Sequence, residues 1–253
     1  MKLALLTITW RRPALLGRLI ECFQRQTHED REMIVLDDAG DYPTQPLGDR
    51  WRVVSIDRRF QSLGSKRNAC AALASPDVDG YLVCDDDDFL FPWALAATAH
   101  ALGKHRWAQP REVYEWTPDG QSLVRQETFG RARPNYVDYH SGWSYRRETF
   151  ERMRGYPIAG EEDNPVRDHL TAVYGPSGNT LCPEFPEPFV IYGQPQTNYR
   201  ISHLYQRLRG PTMFADAWEV ASHAPAQGEF MVGWDDRDYL AIPRPGETKR
   251  RPW

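Results

Sequence analysis

The chain has 253 residues, with 31 basic and 35 acidic side chains and a formal charge of −4. An apolar fraction of 41% against 26% charged excludes wholesale disorder, collagen and coiled coil. The length suits one large α/β domain, or one domain with a substantial lobe, and can bury a real core. Mild acidity provides no global field for nucleic acid, although only four basic residues are Lys, so a local Arg-rich patch stays open.

The N-terminal run MKLALLTITWRRP ends in Arg-Arg-Pro without a small-residue cleavage site, and reads as a first strand rather than a signal peptide. No apolar run approaches the ~18 residues of a membrane span. Cys22, Cys70, Cys84 and Cys182 are far apart with no CxxC, which argues against a zinc cluster. Free buried thiols in a reducing, cytoplasmic compartment are the expectation.

Leu3–Thr9 is a continuous apolar run, as in a strand buried on both faces. Pro13 opens a helix in which Leu15, Leu16, Leu19, Ile20 and Phe23 share one face. Met33–Leu36 and Trp51–Ile56 read as strands, Ser65–Ala74 as a helix, Tyr81–Cys84 as a strand and Pro92–Leu102 as a helix. Strand and helix alternating on short links predict a parallel α/β sheet. Beyond residue 105 the texture changes. Val113–Trp116 and Ser122–Thr128 alternate as antiparallel strands around a Pro-Asp-Gly turn at 118–120. Ser144–Met153 reads as a short helix or turn, Val166–Tyr174 as a helix and Glu184–Tyr192 as a last strand. The final forty residues are rich in Pro, Gly and Trp, and end in the basic tail Lys249–Trp253.

In parallel α/β sheets, ligands bind beyond the carboxyl ends of the strands. The polar residues that follow strands here are Thr9-Trp10-Arg11, Asp37-Asp38 and Asp85–Asp88. Four consecutive aspartates need a compensating cation or solvent. Their oxygens suit hard ions such as Mg²⁺ or Mn²⁺. A solvated acidic loop or a helix N-cap would explain a bare acidic run. The position at a strand end, beside a second Asp pair, favours a site. Asp37-Asp38 suits a hydrogen bond to a nucleobase N–H or a ribose hydroxyl, and a capped turn before Gly40 is the alternative. Lys66-Arg67-Asn68, at a helix start after Gly64, suits a diphosphate, with a solvated helix face as the alternative.

Glu161-Glu162-Asp163 precedes a helix and offers a general base, against ordinary helix-start acidity. His140, His169 and His203 are candidate ligands or bases, although a lone histidine is more often structural. No Gly-x-Ser-x-Gly, P-loop or His-Glu-x-x-His occurs, which removes several hydrolase and NTPase readings.

Taken in order, several segments resemble family 2 of the glycosyltransferases. They are LLTITWRRPALLGRLIECFQRQT, MIVLDDAG, LGSKRNACAALASPDVDGYLVCDDDDFLFP, and GWSYRRETFERMRGYP followed by Glu-Glu-Asp. The resemblance covers about residues 1–175. It implies a GT-A fold, a Rossmann-like, mostly parallel sheet flanked by helices with a smaller mixed acceptor-side lobe. Residues 1–105 would form the nucleotide-sugar half, 106–210 the acceptor half, and 211–253 an extension and basic tail. The resemblance further implies that Asp38 contacts the nucleobase, with Thr9 and Trp10 lining its pocket and Arg67 near base and diphosphate. Asp85 and Asp87 match the D-x-D. Asp87 would ligate Mn²⁺ or Mg²⁺, and Asp85 would bind ribose or a metal-bound water, or join the metal ligands. The extra Asp86 and Asp88 admit a one-residue shift, so Asp88 joins the candidate metal ligands and Asp86 the donor contacts. Arg11 and Asp37 complete the donor set, and His203 is a further candidate ligand. Asp163 matches the catalytic base, preceded by Glu162, with Asp168 a nearby alternative.

The activity so implied is inverting transfer from a nucleotide-sugar, UDP favoured, to a hydroxyl acceptor. A glycan is one acceptor class. The arginines of the second lobe (Arg125, Arg131, Arg133, Arg146, Arg147, Arg152 and Arg154) also admit DNA with hydroxylated bases. A nucleotidyltransferase-like enzyme with two-metal chemistry and a catalytically silent nucleotide- or sugar-binding module are the competing readings.

Overall fold

The computed structural model describes residues 1–43, 50–60, 62–116, 123–127, 140–157, 163–179 and 189–192. Strand β1 (Leu3–Thr9) is buried along its whole length, as its unbroken apolar run requires. Helix α1 (Pro13–Gln24) starts on Pro13, whose fixed φ suits a first helical turn. β2 (Arg31–Asp37) and β3 (Trp51–Ser55) follow, then α2 (Leu63–Ala72). Ser62 and Ser65 form a reciprocal capping box at the start of α2, Ser65 N donating to Ser62 Oγ at 3.1 Å. β4 (Gly80–Val83), β5 (Phe89–Leu90) and α3 (Ala94–Lys104) complete the first half.

The second half contributes β6 (Trp107–Gln109), β7 (Glu112–Trp116), β8 (Leu123–Glu127), β9 (Ser144–Arg146), α4 (Arg147–Arg152), α5 (Asp163–Tyr174), β10 (Gly178–Asn179) and β11 (Val190–Tyr192). Among the described residues one sheet has the order β10-β6-β9-β4-β1-β2-β3, and a second has β5-β11-β7-β8. In the larger sheet β1, β2, β3 and β4 are parallel, while β9 runs antiparallel to both β4 and β6. The predicted β7–β8 hairpin is antiparallel, with Tyr114 opposite Arg125.

Period-two alternation splits the core into two layers. Leu3 and Leu5 of β1 join Leu16, Leu19 and Phe23 of α1 and Leu95 and Leu102 of α3 on one face. Ala4, Leu6 and Ile8 join Cys70 and Ala71 of α2, Phe150 of α4, and Val166 and Leu170 of α5 on the other. The α/β expectation with a smaller mixed sheet is met.

The segment Ser144–Met153 departs from its reading as a helix or turn. Its first three residues are a buried strand inserted between β4 and β6, and only Arg147–Arg152 is helical. Three residues are too short to display alternation, so this strand exists because its neighbours supply hydrogen bonds. Cys22, Cys70 and Cys84 are free and buried, and Cys182 lies outside the described residues. So do the turn at 118–120 and everything beyond Tyr192. Among the described residues no helix is long and apolar enough to cross a membrane.

Candidate active site at the strand ends

Parallel pairing aligns the carboxyl ends of three strands. Thr9 lies opposite Asp37, and Leu6 opposite Val83, so the residues following β1, β2 and β4 gather on one edge. A polar constellation forms there, as the strand order demands.

The aspartate run is compensated by cations from two helices. Arg67 of α2 pairs with Asp85 at 2.9 Å. Arg12, just before α1, reaches Asp86 at 2.9 Å and Asp87 at 3.2 Å through the same Nη1. Thr9 Oγ1 donates to Asp86 at 2.6 Å. Ser141 Oγ donates to Asp88 and accepts from Asp85 N at 2.9 Å, which ties the chain before β9 to the loop after β4. Burial alone would raise Asp85, but the surrounding groups together, Arg67 foremost among them with Arg12 adding to it, hold the carboxyl below its usual range. Burial dominates at Asp86 and raises it, with Arg12 and Thr9 offsetting only part of the effect.

Asp85, Asp87 and Asp88 each offer an oxygen, and these atoms all lie within 4.8 Å of one another. Three carboxylates at that spacing fit a hard divalent ion that takes oxygen ligands. Asp86 is turned to Thr9 and Arg12 and is not part of that cluster.

Asp38 is buried and has three donors. Lys66 Nζ and Arg59 Nη1 reach its Oδ1 at 2.5 and 2.9 Å, and Phe60 N reaches its Oδ2 at 3.2 Å. Lys66 also donates to Thr9 O at 2.5 Å. Burial lowers the pKa of Lys66 and the bond to Asp38 only partly restores it. Asp37 behaves as a turn carboxylate, accepting from Ala39 N, Asp41 N and Ser55 Oγ at 3.1, 3.0 and 2.6 Å. The Trp10 ring is 43% exposed and carries the Arg59 guanidinium 4.6 Å from its centroid and that of Arg11 at 5.2 Å.

The structure therefore brings together Thr9, Asp38, Arg67, Asp85, Asp86, Asp87 and Asp88, with Trp10 at their border. Arg11 is exposed with φ 54°, and the neighbouring Arg12 is the residue that meets the aspartates. Asp163 is the first residue of α5, three residues earlier than the predicted helix start. Glu162 and His203 lie outside the described residues. Asp168 is exposed and paired with Arg167 at 3.0 Å, and His169 is exposed. His140 is buried, with Nε2 2.8 Å from Tyr156 Oη, and burial holds its pKa well below the ordinary value. It is a neutral core group there rather than an ion.

Sequence reasoning missed Arg12, Arg59 and Ser141. Arg12 had a usable signal, since it directly precedes a helix-opening proline beside a strand end. Ser141 had none, because 53 residues separate it from Asp88.

Comparison with known proteins agrees with this geometry. S. aureus TarS 1–349 in complex with UDP superposes with a TM-score of 0.58 at 14% identity, over 94% of this chain and 77% of that one. The same protein in complex with UDP-GlcNAc gives 0.53 at 14% identity, over 95% and 78%. These likenesses show the fold, a GT-A-like arrangement of sheet and helices. In sequence, the uncharacterized glycosyltransferase YwdF of Bacillus subtilis is 32% identical over 110 residues. That match spans 40% of this chain and 38% of YwdF. The family model described as Glycosyl transferase family 2 matches residues 5–154. The strand-end constellation and that match over more than half of its length lead to one conclusion: the chain belongs to glycosyl transferase family 2.

Proposed function

We propose that the protein is a metal-dependent, inverting glycosyltransferase that moves a sugar from a nucleotide-sugar to a hydroxyl acceptor. The observation that carries this reading is the cluster of Asp85, Asp87 and Asp88 beside the buried Asp38 on one sheet edge. Capture of TarS with UDP and with UDP-GlcNAc favours a UDP-sugar as donor here.

In this reading residues 1–105 serve the donor and 106–210 the acceptor. Trp10 and Asp38 receive the nucleobase, Thr9 lines the pocket, and Arg67 faces the diphosphate side. Asp87 is the principal metal ligand, with Asp85 and Asp88 completing the carboxylate set. A bound Mn²⁺ or Mg²⁺ supplies charge neutralisation on the leaving diphosphate. Asp163 removes the acceptor hydroxyl proton as that oxygen attacks the anomeric carbon from the opposite face. Glu162 precedes it in the same acidic segment. The acceptor is a glycan or another hydroxyl compound, with hydroxylated DNA as a further class for the Arg-rich lobe. The free thiols Cys22, Cys70 and Cys84 suit a reducing, cytoplasmic setting.

The test is release of UDP from a panel of UDP-sugars with Mn²⁺ and acceptor candidates. Metal-dependent release is expected, abolished by EDTA. Release that persists unchanged in EDTA removes the metal from the mechanism, and failure to bind any UDP-sugar removes the donor assignment.

A further inference from the structure

Two turns face each other at the carboxyl end of β4. Asp85–Asp88 is closed by Asp88 N donating to Asp85 O at 3.2 Å. Residues 140–143, just before β9, are closed by Trp143 N donating to His140 O at 3.1 Å. Val83, the last residue of β4, holds the second turn against the sheet. Its O accepts from Gly142 N at 2.8 Å, and its N donates to Trp143 O at 2.9 Å. Gly142 has a φ of +92°, and a Cβ there would lie 2.9 Å from both Pro110 Cγ and Val190 Cγ2. The turn before β9 is therefore bonded to β4 on one side and packed against Pro110 and Val190 on the other.

Ser141 stands in that turn, fully buried. Its hydroxyl bridges the first and last residues of the aspartate turn. The oxygen accepts from Asp85 N at 2.9 Å, and the proton goes to Asp88 Oδ2. A hydroxyl has one proton to give, so these two bonds together fix its direction. The bridge also differs in kind from the other contacts of the cluster. Arg67 and Arg12 meet Asp85 and Asp87 as cations and offset their charge. Ser141 is neutral, so it orients the Asp88 carboxylate without cancelling the charge that would attract an ion.

We propose that Ser141 is a positioning residue for the metal site: its hydroxyl, held between Asp85 N and Asp88 Oδ2, sets both aspartates beside Asp87 in the arrangement that receives a hard divalent ion. This rests on the reading of Asp85, Asp87 and Asp88 as metal ligands. Their oxygens lie within 4.8 Å of one another, and a group that keeps them together lowers the cost of ordering them on an ion. Hydrogen-bond partners behind metal ligands contribute about 10- to 100-fold in affinity. Without the Ser141 hydroxyl, Asp88 loses the donor that orients it and Asp85 N loses this acceptor, so both ends of the turn loosen.

The experiment compares Ser141→Ala, Ser141→Cys, Asp87→Asn, Asp88→Asn and the double variant Ser141→Ala/Asp88→Asn. Measured are Mn²⁺ affinity by calorimetry, with the metal alone and with UDP, and hydrogen exchange at the Asp85 amide in EDTA. Ser141→Ala is expected to weaken Mn²⁺ binding about 10- to 100-fold and to deprotect that amide. In transfer assays the Mn²⁺ concentration for half-maximal rate should rise by a larger factor than kcat falls. Ser141→Cys keeps a side chain of similar size with a weaker donor. It is expected to fall between wild type and Ser141→Ala, and it carries the comparison if the alanine variant does not fold. In the double variant the loss of Mn²⁺ affinity should be smaller than the product of the two single losses, because both changes act on one carboxylate. Mn²⁺ affinity within about twofold of wild type in Ser141→Ala overturns the proposal and leaves Ser141 a purely structural role. So does an Asp85 amide that stays protected, or a double variant in which the losses multiply. If Asp87→Asn binds Mn²⁺ as wild type does, or wild type binds none, the metal reading itself has failed and the role of Ser141 fails with it.

Discussion

Lys66 Nζ donates to Asp38 Oδ1 at 2.5 Å, and both side chains are buried. The carboxylate that the family resemblance assigns to the nucleobase is therefore also the partner of a buried ammonium. From sequence, truncating a strand-end Asp should spare the fold, and this pair reverses that expectation. Asp38→Ala leaves Lys66 buried without its carboxylate, and breaking such a pair from one side costs about 3–5 kcal/mol. The urea midpoint should fall markedly. An unchanged midpoint would show that Lys66 finds another partner or reaches water.

Trp10 separates nucleobase binding from folding more cleanly. Its ring is 43% exposed, so its removal disturbs little core. Stacking of a base on an aromatic ring contributes about 1–3 kcal/mol. Trp10→Ala should weaken UDP binding about tenfold or more by calorimetry while the melting temperature stays near wild type. Full UDP affinity in that variant would take the base away from Trp10.

Asp87 and Arg12 make opposite predictions for the metal. Asp87→Asn removes a ligand charge and should lower activity at least about tenfold, a change of about 1.4 kcal/mol in barrier. Arg12 Nη1 sits 3.2 Å from Asp87 Oδ2, where it competes with an incoming cation. Arg12→Gln should therefore tighten Mn²⁺ binding to the nucleotide-free protein about two- to tenfold, read by titration of the metal alone. Weaker binding would assign Arg12 to holding Asp86 and Asp87 in place instead.

Cys70 predicts an alkaline limit. Burial pushes its thiol up to about 12 from an ordinary 9.0, with weak bonds from Sγ to Thr7 O and Ile34 O at 3.4 and 3.5 Å. The folded value lies above the unfolded one, so the unfolded chain loses its proton first. The associated stability is complete below about pH 9 and is lost as pH rises from there towards 12. Unfolding in urea at pH 8 and pH 10 should show this fall, and Cys70→Ala should reduce its slope. Iodoacetamide at pH 8 should modify Cys70 only after unfolding. Rapid modification of the native thiol would contradict its burial.

Local signals in the sequence determined the first half of the fold. Leu3–Thr9 is a strand with the predicted bounds, α1 begins at Pro13, Asp37 closes β2, and Asp38 and Asp85–Asp88 lie beyond strand ends. Apolar runs, a proline and strand-end carboxylates are written in neighbouring residues, and parallel pairing then makes the strand ends converge. Tertiary structure alone decided the partners. It inserted Ser144–Arg146 between β4 and β6, turned Arg12 rather than Arg11 onto the aspartates, engaged Asp37 in its own turn, and brought Ser141 to Asp88. A hydrogen-bond partner depends on which distant segments the sheet sets side by side. Periodicity reaches only a few residues along the chain, so it carries no record of contacts made 53 or 74 residues away.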